Sequence, residues 1–277
     1  MTKAKMSAAA TDNPLLENWT SPFGVPPFAR IRPEHFLPAF TAAFTAHAAE
    51  VAAVASDPAE PSFANTIEAL ERAGETLNRV SNAFHVLAQA HTNDALLAAE
   101  RQLAPLRAQH WNKILLDERL FRRVDALYRC SGKLELTGEQ ARVLERYHAM
   151  FKRAGAALDD SAKARLAEIN ERLATLGTAF SQNVLADEQN NVLELESEED
   201  LAGLPDFLRA AARAAADERA RTGKHVITTS RSSVEPFLQF SERRDLREKI
   251  FRAWTARGDG GGATDNKAII AETATLR

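Results

Sequence analysis

The chain has 277 residues, of which 45% are hydrophobic and 26% are charged, with only 12 Gly and 11 Pro. This balance is typical of a folded globular protein, and it excludes both a collagen-like chain and a wholly disordered one. The formal net charge of -3 provides no overall basic field to hold a phosphate backbone, so we expect no nucleic-acid partner.

Cysteine usage and the N-terminus favour a cytoplasmic protein. The single cysteine, Cys130, cannot form an internal disulfide, which fits a reducing compartment, and its place between Arg129 and Ser131 indicates a helix-end bystander more than a nucleophile. The first residues lack the apolar core of a secretory signal. No apolar run approaches the roughly 20 residues that span a bilayer, so we expect no membrane partner.

The first 30 residues are predicted to form an irregular arm, because Pro, Ser and Thr surround Trp19 and Phe23. From Pro33, which suits the first position of a helix, apolar side chains recur at spacings of three and four. This stripe predicts the first helix and comprises Phe36, Phe40, Ala43, Phe44 and His47.

Two asparagines are predicted to cap the next two helices. Asn65 would begin a second long helix that runs to Leu87, and Asn93 a third that runs to Trp111. Pro105 lies inside the third helix and is expected to kink it.

A capping-box pattern, Thr137 followed by Gln140, predicts a helix that runs to Leu158. The next helix has apolar residues in a nearly regular alternation of four and three, which suits packing against an antiparallel neighbour in a long helical hairpin. These residues are Ala162, Leu166, Ile169, Leu173, Leu176, Phe180 and Val184.

Only two segments are predicted as strands, residues 192–196 and 224–229, and we expect them to pair as a small sheet. A helical pattern begins again at Ser241 and is interrupted by the glycine-rich residues 258–262. Asp265 or Asn266 would cap a last helix, which ends at Arg277 without a stop signal and is expected to be cut in mid-course.

The fold class predicted from these patterns is mainly α, a long-helix bundle with helical hairpins and at most a small two-stranded sheet. The predicted organisation has three parts. Residues 1–30 form the irregular arm, residues 31–257 a helical domain, and residues 258–277 a Gly-rich connector with the start of the last helix.

Metal-binding patterns are weak in this sequence. None of the seven histidines stands in a His-Glu-x-x-His arrangement, which would point two imidazoles at one metal from a helix. Glu145 and His148 share a helix face as in di-iron bundles, but the one other pair, His47 with Glu50, has the reverse order. We expect a polar helix flank there, and a di-iron or other metal bundle stays the alternative.

Three further clusters have simpler interpretations than a site. Residues 258–262 follow a helix and lack the Lys-Ser or Lys-Thr of a phosphate loop, so we expect a flexible connector. The hydroxyls at residues 228–233 lack a nucleophile elbow and indicate capping and turns. The acidic residues 196–200 lack a calcium-loop pattern and indicate a solvated helix start at Ser197.

Several stretches, taken in order, resemble the N-terminal half of the thimet oligopeptidase family. They are residues 65–71 (NTIEALE), 180–184 (FSQNV), 236–238 (PFL) leading into 241–249 (SERRDLREK), and 265–266 with Ile269, Ile270, Leu276 and Arg277. Residues 185–188 (LADE) and 201–205 (LAGLP) lean toward the peptidyl-dipeptidase group. The resemblance runs from about Asn13 to the end of the chain.

The resemblance implies one half of a two-lobed, mostly helical peptidase whose deep channel admits short peptides. In that family a His-Glu-x-x-His helix and a later Glu bind zinc, and downstream Tyr and His residues steady the oxyanion. All of these positions would fall after Arg277, so no catalytic, cofactor-binding or metal residue is carried over to this chain.

The leading hypothesis from the sequence is therefore the channel-forming part of a zinc oligopeptidase or peptidyl-dipeptidase, inactive alone and without bound zinc. Its expected partners are short peptides and a missing C-terminal catalytic half. Surfaces that this half would cover are expected to drive self-association. A non-catalytic helical protein-interaction module is the alternative.

Overall fold

The computed structural model describes residues 12–277, so residues 1–11 of the predicted arm lie outside the described residues. The chain groups into two compact units that divide between Thr175 and Leu176. The predicted domain ranges 1–30, 31–257 and 258–277 stay a prediction.

The first unit is helical. After a 3-10 turn at Pro22–Gly24, its elements are α1 (Pro33–Ala55), a π-helical turn (Phe63–Glu68) continuing as α2 (Ala69–Arg72), α3 (Glu75–Ala90), α4 (Asp94–Leu115), α5 (Glu118–Arg129), a 3-10 turn (Ser131–Lys133), α6 (Gly138–Arg153) and the start of α7 (Asp160–Asn190).

The second unit begins within α7 and contains the sheet. Its further elements are β1 (Val192–Leu195), a 3-10 turn (Glu198–Leu201), α8 (Asp206–Asp217), β2 (His225–Thr228), α9 (Arg231–Phe240), α10 (Arg244–Thr255), a 3-10 turn (Gly262–Thr264) and α11 (Lys267–Leu276). The mainly α fold class with a small two-stranded sheet is confirmed.

Several predicted caps are present. Asn93 accepts a hydrogen bond from the Leu96 amide at the start of α4. Thr137 and Gln140 form the reciprocal capping box of α6, and Ser197 caps its 3-10 turn through the Asp200 amide. Each cap accepts a bond from an amide that the helix itself leaves unpaired, which is why these short polar side chains mark helix starts.

The second predicted helix is wrong in its start and its continuity. Ser62, not Asn65, is the cap, and Asn65 stands three residues later as its capping-box partner. The helix also stops before Gly74, which has φ +81° and directly precedes α3. The Gly74 amide donates to Glu50 Oε2 at 2.7 Å, so this break is tied to α1 by a side-chain hydrogen bond.

Three other local expectations concern α4, α5 and α7. Helix α4 runs through Pro105 without interruption, and the kink expected there stays a prediction. Cys130 follows the last residue of α5, as a helix-end residue should. In the apolar stripe of α7 only Leu176 is buried, so the regular alternation does not form a buried helical seam within the described chain.

Two apolar clusters hold the first unit. One gathers aromatic side chains of α1 and α3 around Phe36, Phe40 and Phe84, with Leu15 from the arm fully buried among them. The other joins α1 to α5 and α6 around Leu120, Leu144 and Phe151. Burying each such side chain stabilises the fold by about 1.5–3 kcal/mol before chain entropy is counted.

One helix of the described chain, Pro33–Ala55, is long and apolar enough to cross a bilayer by length and composition. The sequence expectation overlooked it because its apolar character comes from many alanines. Its side chains Phe36, Phe40 and Val51 lie in the two apolar clusters of the first unit. This packing is that of a core helix.

The second unit is built on an antiparallel pair, as predicted. Val192 pairs with Thr228 and Leu195 with His225. Leu193, Leu195 and Ile227 lie in a core with side chains of α8, α9 and α10. One ion-pair cluster closes the sheet end, where Glu194 accepts from both Arg221 and Lys224.

Candidate functional site

A cavity of about 760 Å³ opens in the first unit. Its walls come from α1, the α2–α3 junction, the C-terminal half of α4, and one face of α6. The α6 residues Arg142, Arg146, Ala149, Met150 and Arg153 recur at helical spacing on one face, and other α6 side chains extend the lining around the helix.

A buried histidine pair lies at the α1 and α4 side of the cavity. His47 Nδ1 is 2.9 Å from His110 Nε2, so one imidazole donates to the other. The Phe44 ring is tilted against the His110 ring with centroids 4.7 Å apart, and the Trp111 ring meets both imidazoles edge-on at 5.7 Å.

Burial lowers the pKa of both histidines. The pKa of His110 falls to about 4, because burial, the neighbouring His47 and then Lys113 all disfavour its charged form. The pKa of His47 is also lowered by burial, and Glu50 opposes that shift. The pair is therefore neutral at pH 7 and acts as a fixed donor and acceptor.

A second polar contact lies on the opposite wall. The Tyr147 hydroxyl donates to Glu71 Oε1 at 2.6 Å, joining α6 to α2. Burial, reinforced by the Glu71 carboxylate, raises the pKa of Tyr147 well above its usual range. Tyr147 stays protonated at physiological pH, so it serves as a hydrogen-bond donor.

The charges of the α6 wall are unequally matched. Arg142 pairs with Glu145 on its own helix. Arg146 and Arg153 also line the cavity, and among residues 12–277 neither guanidinium has an ion-pair partner. The cavity therefore has two positive groups available to a ligand.

The residues that the sequence offered for a di-iron site do not come together as one. Glu145 pairs with Arg142, whereas His148 Nε2 lies 3.0 Å from Asp125 Oδ1 and its ring stacks on Tyr128 at 3.9 Å. Glu50 binds the Gly74 amide. Within residues 12–277, no three His, Cys, Asp or Glu side chains form a group that could hold a metal ion.

The glycine-rich loop of the second unit is held by polar contacts. Asp187 on α7 is buried and accepts from the Gly258 amide at 3.0 Å, Thr264 Oγ1 at 3.2 Å and Asn191 Nδ2 at 2.8 Å. Asn266, also buried, donates to the Phe180 carbonyl. A buried carboxylate and a buried amide thus hold the two ends of the loop by hydrogen bonds, and the expected flexibility of this connector stays a prediction.

Sequence reasoning missed the cavity because its lining is assembled from distant segments. His47 and His110 are 63 residues apart, and Tyr147 and Glu71 are 76 apart. No local spacing marks either pair. The one available signal was the α6 face that carries arginines together with Met150. A fully solvated helix face has no need of an apolar side chain such as Met150.

Comparison with known proteins gives a consistent set of relatives. The chain is 37% identical over 96% of its length to a dipeptidyl carboxypeptidase of Escherichia coli. It is 29% identical to oligopeptidase A of Salmonella typhimurium and 27% identical to a probable cytosolic oligopeptidase A of Arabidopsis thaliana, each over 96% of the chain. It spans only 39%, 39% and 38% of these relatives' own lengths. No protein-family model matches the chain.

Proposed function

Since this chain belongs to the thimet oligopeptidase family and corresponds to an N-terminal portion of its members, we propose that it forms the substrate channel of a cytoplasmic zinc oligopeptidase or peptidyl-dipeptidase. The similarity to dipeptidyl carboxypeptidase along almost the whole chain is the observation that supports this proposal. The substrates would be short peptides, which a helical channel wall admits while it excludes folded proteins.

Zinc is the cofactor that the resemblance implies, and the described residues do not fit it. His47 and His110 face each other, His148 faces Asp125, and His85 Nε2 lies 3.1 Å from Arg107 Nη1. Catalytic zinc requires three protein ligands converging on one point. We therefore assign the metal and the catalytic groups to the part of the relatives that this chain does not span.

The chain's own contribution would be access and orientation. A catalytic centre gains rate when a substrate is held in a reactive geometry, and groups remote from the bond that breaks can provide that binding. The cavity walls of the first unit offer apolar surface, neutral donors and free guanidinium groups within one space. These are groups that position a peptide without acting on it.

A chimera tests the proposal. The matching two fifths of the Escherichia coli dipeptidyl carboxypeptidase would be replaced by this chain, and peptide cleavage would be followed with a quenched-fluorescent peptide. We expect the chimera to cleave and the chain alone, with zinc added, to stay at background. A folded chimera without activity would contradict the proposal. One zinc per isolated chain with chelator-sensitive turnover would mean that the catalytic assignment is wrong.

The alternative, a helical interaction module, is favoured by one observation. Phe180 and Ile270 in the second unit are both exposed apolar side chains. Exposed apolar surface favours association with another chain or with a second copy. Sedimentation of the isolated chain with and without the remaining part of the relative separates the two functions. If that part releases the chain from self-association, the peptidase assignment is supported. If self-association does not change, the interaction module is supported.

A further inference from the structure

The cavity of the first unit is open to solvent on one side, so it is a cleft that a ligand can enter. Its volume of about 760 Å³ lies within the usual range of small-ligand sites. Its lining residues Leu77 and Phe151 are buried and apolar, so part of its surface is apolar.

The ionic character of the lining favours an anion. Its two carboxylates are engaged, because Glu71 accepts from Tyr147 and Glu145 pairs with Arg142. Arg146 and Arg153 stand seven residues apart on α6, which separates them by about 10 Å along the helix axis. Arginine binds a planar carboxylate through two parallel hydrogen bonds, which a guanidinium without an ion-pair partner is suited to do.

The apolar residues of the lining indicate what the ligand carries next to its anionic group. Trp111 and Met150 both line the cavity, and each leaves about two fifths of its surface exposed, at 42% and 41%. An indole face and a thioether together suit a large apolar side chain. A ligand that satisfies both features carries a carboxylate next to an apolar side chain.

We propose that this cavity binds the C-terminal residue of a short peptide, with the free carboxylate on Arg146 or Arg153 and a large apolar side chain against Trp111 and Met150. This inference rests on the proposed function for the peptide as ligand class. It adds a binding site within this chain. It also predicts that a peptide lacking the terminal charge binds poorly.

Calorimetric titration of the isolated chain tests the site directly. The probes are the tripeptide Ala-Ala-Phe as free acid, the same tripeptide with an amidated C-terminus, and inorganic phosphate. We expect the free acid to bind at least about tenfold more tightly than the amide, since hydrogen bonds to a charged group are the strong ones. Equal binding of acid and amide, or no binding of the acid, would overturn the proposal. Tighter binding of phosphate would replace it with a phosphate site.

Matched arginine variants locate the binding. Arg146→Gln combined with Arg153→Gln removes both free guanidinium groups, and both side chains are exposed enough for the fold to tolerate the change. We expect affinity for the free acid to fall at least about tenfold, while amide binding stays the same. Arg213→Gln, an exposed arginine of α8 outside the cavity, should change neither. Equal loss in the control would place the binding elsewhere.

Ala149→Phe offers an independent check, because it fills the cavity from the α6 wall without changing any charge. Binding of the free acid should be lost while the circular dichroism spectrum is retained. Unchanged binding would overturn the proposal. These experiments measure binding to this chain alone, so their failure would contradict the binding site. An inactive chimera would instead contradict the proposed function and would leave the binding site untouched.

Discussion

The two units of this chain use buried polar groups in opposite ways. In the first unit, the His47–His110 pair lies beside large aromatic clusters, and the apolar packing holds the helices together. In the second unit, Asp187 and Asn266 hold a loop rich in glycine that has no apolar side chains of its own to bury. The contrast teaches that burial alone does not tell how much a polar side chain contributes to stability. The groups around it decide that contribution.

Removing a core aromatic should give the largest effect and test the first half of this contrast. Phe84 is fully buried and meets Phe36 and Phe40 edge-on, with ring centroids 5.0 and 5.7 Å away. We expect Phe84→Ala to lower the free energy of unfolding by about 3–5 kcal/mol in urea denaturation. Phe207→Ala, at a side chain 61% exposed, should change it by less than about 0.5 kcal/mol. Similar losses in both would contradict the assignment of the core.

Removing the buried carboxylate of Asp187 tests the role of buried polar groups in the second unit. Asp187→Ala leaves the donors of Gly258, Thr264 and Asn191 without their acceptor, which costs about 1–3 kcal/mol. The effect should be local, so amide hydrogen exchange across residues 258–266 should accelerate while that of α3 is unchanged. The exposed Asp217 provides the control, since Asp217→Ala should leave the loop as it is. Acceleration spread evenly over the chain would count against a local clamp.

A glycine substitution sharpens the contrast at the cavity wall. At Gly74 an added Cβ would lie 3.1 Å from the His47 ring, and the φ of +81° is unfavourable for any L side chain. We expect Gly74→Ala to cost about 1–2 kcal/mol. Gly132→Ala, where a Cβ meets nothing within 4 Å, should be nearly neutral. Thermal unfolding of the two variants side by side measures the difference, and equal melting temperatures would show that the His47 ring gives way freely.

Acid should weaken the first unit by a smaller amount. His110 has a folded pKa of about 4, below the unfolded value near 6.5, so the unfolded chain binds more protons in between. Its contribution is complete above about pH 6.5 and is lost as the pH falls toward 4. For this shift the linkage relation gives a loss of about 2 kcal/mol between pH 7 and pH 5, and solvent screening reduces the expected loss to about 1 kcal/mol. Stability measured across this range should depend less on pH in His110→Gln, and an unchanged dependence would contradict the assigned cause.

Much of the fold was accessible from the sequence because its signals are local. Asn93, Thr137 and Ser197 each cap the turn that follows them, and the predicted strand 224–229 forms as the shorter strand His225–Thr228. Where two capping residues compete, local reasoning fails: Ser62 and Asn65 stand three apart, and Ser62 is the cap. Helix α5 was within reach, since Asp117 caps a four-and-three apolar spacing.

The candidate site was not accessible in the same way. His47 and Glu50 read as a reversed metal pair, yet the structure gives each a separate partner, His110 and the Gly74 amide. These partners are fixed by the packing of helices that are distant in sequence, and no spacing records them. The free charge of Arg146 is likewise visible only after the ion pairs of its neighbours are assigned.

The small sheet has a consequence for the order of events in folding. Its Glu194–Lys224 ion pair joins residues 30 apart, so closing the intervening chain costs about 3 kcal/mol of entropy before any strand contact forms. Helix α8 lies within that segment and has only local hydrogen bonds, which form within about a microsecond. As a helix, its 12 residues span about 18 Å instead of about 40 Å extended. Early α8 formation therefore shortens the search of β2 for β1, and the sheet forms late, on a helix whose Leu208 and Ala212 then share its core.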